Sequence, residues 1–403
     1  MWLNGEEVEI NKRGQAVLRE IRAIAGDRVD PKTGKVIVKK EDWGNYKVHI
    51  SSLNTFPTGA GLASSAAGLA CLTATLAKLY SCEEIFKGQL TAIARQGSGS
   101  ASRSLAGGLV RWQKGRLSTA RDSVAIQIAD ENYWPEMRAI ILVVSDKEKD
   151  TSSTAGMETS KNTSPFLKFR AENVVEPRVA ELETAYLKRD FETFGKLTMQ
   201  DSNSFHATCQ DTYPPIFYLN DISKSIMRLV HVINDHFGRI VCAYTYDAGP
   251  NAVLYLLEKD TPLVMSIMSK YFPSFGELNE YTNDVSFFQK CNKMEVDRDL
   301  VAKLDKTGRK PIQGDVKYIF HTKSGPGPIQ QDCDQCLLDP STGLPVKADN
   351  SVYTRHKKMQ IKPVPKAHGF GMLRCPFTWG LLFASAAAGV VGGMVLAKHL
   401  NKK

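Results

Sequence analysis

Strand-like alternation gives way to helical periodicity across a run of small residues, Pro57-Thr-Gly-Ala-Gly-Leu-Ala-Ser-Ser-Ala-Ala67, and this junction narrows the possible folds more than any other part of the chain. Tyr46-Lys-Val-His-Ile50 alternates as a strand does, and the run from Asn54 to Gly61 is rich in turn residues. Leu62, Ala66, Leu69, Ala70, Leu76 and Leu79 then share one helical face, which predicts a helix from Leu62 to near Tyr80. A glycine-rich loop feeding a helix suits phosphate. Glycines admit backbone N–H groups close to phosphate oxygens, and the unpaired N–H groups and dipole of the first turn favour negative charge. Ser64 and Ser65 add donors without bulk, so Gly61, Leu62, Ala63, Ser64, Ser65, Ala66 and Ala67 form the expected phosphate segment. No Lys follows the last glycine, which excludes the G-x-x-x-x-G-K-[ST] loop. A Gly-Ala-Ser turn packed closely on a strand is the alternative these residues allow.

Further along, Ala139-Ile-Ile-Leu-Val-Val144 reads as a buried strand, and Trp134-Pro135 before it marks a boundary between lobes at 1–134 and 135–346. Residues 173–200 and 221–237 carry helical periodicity, the second through Ile222, Ile226, Leu229 and Ile233. Strands are predicted over 240–246 and 253–257, flanking Asp247-Ala-Gly-Pro-Asn251, and over 316–320. With both element types interleaved and no internal repeat, the class is α+β, and 403 residues leave room for two or three domains.

Charge is distributed unevenly. The chain has 52 Lys and Arg against 43 Asp and Glu, but ten of the basic residues and one acid lie from Lys347 onward, leaving 42 of each before it. A neutral body argues against nucleic acid as partner. Cys71, Cys82, Cys209, Cys242 and Cys291 stand singly in apolar or helical segments, the habit of reduced intracellular thiols. Cys333 and Cys336 supply only two of the four ligands a zinc site needs, so no metal centre is expected there. Met1-Trp-Leu-Asn-Gly has no basic, apolar leader, so secretion is not expected. Residues 347–374 read as a basic linker. Cys375 to Ala397 is uncharged for 23 residues, long enough to span a bilayer as a helix, and Gly389-Val-Val-Gly-Gly393 would suit packing against another membrane helix. A tail anchor in an intracellular membrane is therefore a second expectation, set against a buried helix.

Several long motifs in order carry a resemblance. Pro57 to Ala67 is similar to the nucleotide loop of the small-molecule kinase superfamily. Gly97-Ser-Gly-Ser-Ala-Ser-Arg-Ser104, Asp150-Thr-Ser-Ser-Thr154, Asp201-Ser-Asn-Ser-Phe-His-Ala-Thr208 and Tyr244-Thr-Tyr-Asp-Ala-Gly-Pro-Asn-Ala252 narrow it to the diphosphomevalonate decarboxylases, from about Trp2 to Pro345. The resemblance implies two lobes, the first ribosomal-protein-like and the second ferredoxin-like. It further implies a cytosolic homodimer acting in isoprenoid and sterol biosynthesis. Its implied reaction uses ATP with Mg²⁺ to phosphorylate the tertiary 3-hydroxyl of mevalonate 5-diphosphate, after which phosphate and CO₂ leave.

Each motif can be set against that demand. Asp247, at a strand end before a Gly-Pro turn, is placed to take the hydroxyl proton, though an Asp there also serves as an ordinary turn residue. Arg103 closes a Ser-rich loop, where its planar guanidinium fork matches a carboxylate; a surface ion pair is its alternative. Ser98 and Ser100 are assigned to substrate on the family pattern, and Ser153 to the neighbourhood of the transferred phosphoryl group. His206 is left outside the site, since a lone His is more often structural. The family's Lys-Tyr-Trp-Gly-Lys stretch is not found in these residues, which implies a first lobe short of strands and of a cation. The rival readings are therefore a kinase that stops at phosphoryl transfer and a noncatalytic, membrane-tethered binding protein.

Overall fold

A computed structural model describes residues 1–56, 62–147, 149–332 and 335–346, together with the backbone of 382–384 and 392–397. The chain divides into two compact units. The first comprises Met1–Phe56, Ser64–Tyr133 and Gly325–Lys403, and the second comprises Pro57–Ala63 and Trp134–Ser324. The second unit thus ends at Ser324 and the following residues return to the first, whereas the sequence reading carries the second lobe to 346.

The first unit holds, in chain order, β1 (Trp2–Leu3), β2 (Glu6–Glu7), α1 (Lys12–Ala23), β3 (Arg28–Val29), β4 (Val36–Val38), β5 (His49–Asn54), α2 (Ser64–Leu79), α3 (Gln89–Gly97), β6 (Leu109–Trp112) and β7 (Ala125–Ala129). Asn11 starts α1 by accepting the Gly14 N–H at 2.9 Å, which satisfies one of the free amides of the first turn. Val17 and Ile21 then reach a core of Trp43, Ile50, Leu72, Leu76, Tyr80 and Ile93. Trp43 lies edge-on to Tyr80 at 4.7 Å and donates its indole N–H to Gly26 O at 2.9 Å, so the largest core side chain is both packed and satisfied.

Two boundaries differ from the expected ones. The strand sits at His49–Asn54 rather than Tyr46–Ile50, because the chain first makes a 3₁₀ turn over Lys40–Asn45 around the buried Trp43. Helix α2 begins at Ser64 rather than Leu62, because Ala63 is in the left-handed region at φ +59°, which cannot continue a right-handed helix. Leu62 instead packs with Ile141, Val143 and Tyr318.

The second unit is built on β8 (Met137–Val143), followed by α4 (Ser153–Thr163), α5 (Pro165–Phe169), α6 (Val175–Leu187), α7 (Phe191–Asp211), α8 (Asp221–Phe237), β9 (Cys242–Tyr246), β10 (Ala252–Leu257), α9 (Thr261–Tyr271), α10 (Leu278–Tyr281), α11 (Val285–Asn292), α12 (Arg298–Asp305) and β11 (Tyr318–Thr322). Its sheet runs β11-β8-β10-β9 with every neighbouring pair antiparallel. Helices link β8 to β9 and β10 to β11, a tight turn links β9 to β10, and this is the ferredoxin-like arrangement. The helical run expected over 173–200 is two helices. Arg189 takes φ +53°, and Asp190 starts α7 by accepting the Thr193 N–H at 3.1 Å. Trp134, the residue at the expected boundary, is 4% exposed and packs edge-on against Tyr186, Phe191 and Phe194 at 5.1–6.3 Å, anchoring the start of this unit.

The remaining strands are β12 (Ile329–Gln331), β13 (Leu382–Ala384) and β14 (Gly392–Ala397). β12 pairs with β13, and β14 pairs antiparallel with β5, giving a first-unit sheet ordered β14-β5-β1-β2. Of the segment expected to cross a membrane, 375–397, these two stretches are extended and the rest lies outside the described residues, as does the linker 347–374. Among the described residues no helix is long and apolar enough to cross a membrane.

Candidate active site

The sequence-selected residues are spread over both units, and the expected phosphate segment is divided between them, Leu62 and Ala63 in the second and Ser64 to Ala67 in the first. In the first unit, Ser64 and Ser65 open α2; Ser65 is exposed and Ser64 half-buried, while Ala66 and Ala67 turn into the core. No acid occupies that first turn, so its positive end is not neutralised locally. Gly61 lies outside the described residues.

The Ser-rich motif forms a 3₁₀ helix over Gly99–Leu105, and Ala101 packs it onto Ala70 of α2 and Ala94 of α3. Alanine at all three positions lets the backbones come close, which sets this loop against α2 and α3. Ser98 Oγ and Ser100 Oγ lie 3.4 Å apart, whereas Ser102, fully buried, donates to Gly99 O at 2.7 Å and holds the turn. Arg103 is exposed at the end of the turn, its guanidinium 5.9 Å from the centre of the Trp112 ring. Sequence reasoning missed Trp112. A Cβ on Gly99 would meet its ring at 2.8 Å, so glycine at 99 is what lets the indole lie there, and Ser123 Oγ fixes it by accepting its N–H at 3.1 Å.

In the second unit, Asp247 directly follows β9 with its side chain exposed, and its Oδ1 accepts the Ala248 N–H at 2.8 Å. The loop that follows is pinned on three sides. Asn251, 2% exposed, accepts the Val144 and Ser145 N–H groups at 2.7 and 2.9 Å and donates to Ser145 O at 3.0 Å, tying the loop to the end of β8. Ser223, at the start of α8, donates to Pro250 O at 2.8 Å. Lys149 Nζ donates to Ala248 O and to Ser153 Oγ, each at 2.7 Å.

Lys149 is the second residue the sequence reading missed. Its position four residues before Ser153 was the available signal, but its partner Ala248 lies 99 residues away. Burial pulls its pKa below the ordinary lysine value and the nearby Asp247 carboxylate pushes it back. An ammonium, a hydroxyl at a helix start and a carboxylate therefore stand together, a set able to hold an anion beside a base.

Among the described residues the one cluster with metal-ligand geometry is His236, Asp297 and Asp299. Lys303 Nζ already stands 2.7 Å from Asp299 Oδ2 and 3.3 Å from His236 Nδ1, and Asp297 Oδ1 accepts the Leu300 N–H at 2.9 Å, so each of these groups is already engaged. The cluster does not fit magnesium.

A ferredoxin-like unit with an aspartate directly after β9, in a chain whose small-residue run leads into helix α2, defines an enzyme of the small-molecule kinase superfamily. Two family models match, the diphosphomevalonate decarboxylase-like N-terminal domain over residues 1–125 and the mevalonate 5-diphosphate decarboxylase C-terminal domain over 139–331. The diphosphomevalonate decarboxylase of Danio rerio is 47% identical over 350 residues, covering 86% of this chain and 83% of its own. A crystal structure of mevalonate 5-diphosphate decarboxylase is 42% identical, with a TM-score of 0.69 and coverage of 85% of each chain. A structure of MDDEF in complex with MVAPP, AMPPCP and magnesium is 29% identical, with a TM-score of 0.54 over 68% of this chain and 77% of its own. The chain belongs to the diphosphomevalonate decarboxylase family.

Proposed function

We propose that this chain catalyses the ATP-dependent decarboxylation of mevalonate 5-diphosphate to isopentenyl diphosphate, with release of ADP, phosphate and CO₂, as a carboxy-lyase of isoprenoid biosynthesis. Support for the reading rests on Asp247: a carboxylate at a strand end, on a loop held by Asn251, Ser223 and Lys149, within a family that carries this activity. Asp247 takes the proton of the 3-hydroxyl as that oxygen bonds to the γ-phosphorus of ATP and ADP leaves. The new phosphate then departs with the C–O electron pair. The electrons of the bond to the carboxylate form the C=C bond, and CO₂ is released.

Arg103 holds that carboxylate, and the indole of Trp112 beneath the guanidinium restricts where it can point. Ser98 and Ser100 add donors to the substrate's anionic groups. Gly61 through Ala67 carry the ATP phosphates, and Lys149 with Ser153 stabilises charge on the phosphoryl group in transit. Magnesium, supplied with the nucleotide, neutralises triphosphate charge. The hydroxyls of Ser64 and Ser65 are hard oxygen donors of the kind it accepts and would help to hold it there. A cytosolic homodimer belongs to the same reading, and sedimentation of the purified chain checks the dimer.

Turnover measured as ADP and CO₂ tests the assignment. The chain is expected to release both in equal amounts. Asp247→Asn is expected to lose both by about 10²–10⁴-fold while still binding ATP. ADP without CO₂ indicates a kinase, absence of turnover indicates a noncatalytic protein, and unchanged turnover in the variant removes Asp247 as the base.

A further inference from the structure

The motif Asp201-Ser-Asn-Ser-Phe-His206 lies in the second half of α7, which packs on β9. Its acid is already engaged. Arg170 holds both oxygens of Asp201 at 2.8 and 3.0 Å, and Arg178 adds a bond at 3.1 Å. Arg170 also donates to Ser204 Oγ at 3.0 Å, while two further polar members turn to β9: Asn203 Oδ1 accepts the Tyr244 hydroxyl at 3.1 Å, and Ser202 Oγ accepts the Tyr246 backbone N–H at 3.1 Å. His206, one helical turn beyond Ser202, is 4% exposed and lies edge-on to Tyr246 with ring centres 6.2 Å apart. Its hydrogen bond is to the Tyr246 backbone, while Nε2 is buried without a partner. Tyr246 is held from its other end as well, its hydroxyl donating to Ser223 O at 2.9 Å.

Tyr246 is the residue before Asp247. An imidazole with one unpaired buried nitrogen is a poor choice for packing alone, since an apolar ring of that shape would leave nothing unsatisfied. We propose that Ser202 and His206, one turn apart on α7, are positioning residues for the base: together they clamp the backbone of Tyr246 and so fix where the Asp247 carboxylate is presented. Asn203 serves the same strand two residues earlier. The motif thus works through β9 and need not touch substrate. Small displacements of a reacting group are costly in rate, so loosening this clamp acts on the chemical step more than on binding.

The inference rests on Asp247 being the base, so wild type and Asp247→Asn are assayed in parallel with Ser202→Ala, His206→Phe and His206→Asn. Phe keeps a ring of similar shape without nitrogens, and Asn returns a donor close to the Nδ1 position. The expected result is a fall in kcat of about tenfold for Ser202→Ala and for His206→Phe, with KM for both substrates changed by under about twofold, and recovery of most of the loss in His206→Asn. An unchanged kcat, a change in KM in place of kcat, or failure of Asn to improve on Phe overturns it. Where His206→Phe does not fold by circular dichroism, Ser202→Ala decides alone on the same criteria. Absence of turnover in wild type, or full turnover in Asp247→Asn, counts against the functional reading instead.

Discussion

At the residue scale, His206 and Asn251 show how single buried polar groups are committed. Burial holds the His206 imidazole down at about 4, against an ordinary value of 6.5, with the Tyr246 backbone and the Asp247 charge only partly opposing that shift. The unfolded chain binds this proton below pH 6.5 and the folded chain only near 4, so stability is lost as pH falls through that window. The loss amounts to about 3 kcal/mol by pH 4 and is absent above pH 6.5. Chemical denaturation at pH 7 and pH 4.5 is expected to show a smaller drop in His206→Asn than in wild type. Asn251→Ala removes the acceptor for two backbone amides, one of them on the buried Val144, and is expected to cost roughly 2–4 kcal/mol. The same change frees the loop after Asp247, so CO₂ release should fall further than stability alone explains. Ser202 and Asn203 were legible as a motif but not as a role, because their partners Tyr246 and Tyr244 stand more than forty residues away.

At the element scale, local chemistry set most helix starts and missed the interruptions. Helix α8 was expected over 221–237 and is found there, with Ile226, Leu229 and Ile233 fully buried. Asn220 accepts the Ser223 N–H at 2.9 Å, and the Ser223 hydroxyl reaches back to the Asn220 N–H at 3.4 Å. Asn220→Ala is therefore expected to lower stability by about 1 kcal/mol in a thermal or denaturant melt. The run read as one helix over 173–200 is broken at Arg189, whose positive φ periodicity cannot express. Glycine adopts that conformation without strain, so Arg189→Gly is expected to raise stability by about 0.5–1 kcal/mol, and a fall would show that the arginine side chain matters more than its backbone. The strand β5 was placed too early because its residues 50–54 are buried regardless of polarity, including Ser51, Ser52 and Asn54, which erases the alternation.

At the scale of the whole molecule, the family and the candidate site residues are written in contiguous runs: the small-residue loop before α2, the Ser-rich turn closed by Arg103, and Asp247 before Ala-Gly-Pro-Asn251. Each is local, since a turn, a helix start or a strand end requires particular residues at adjacent positions, and a linear reading recovers it. The ferredoxin-like strand order, the return of 325–346 to the first unit and the extended backbone at 382–384 and 392–397 depend on pairings between distant segments, to which periodicity is blind. Lys149 on Ala248, Trp112 under Arg103 and α7 on Tyr246 belong to that second kind. The sequence by itself determined the family and which groups are candidates for the chemistry, because reactivity resides in side-chain type. Only the tertiary structure decided what holds them in place, because side chains that meet in space need no relation along the chain.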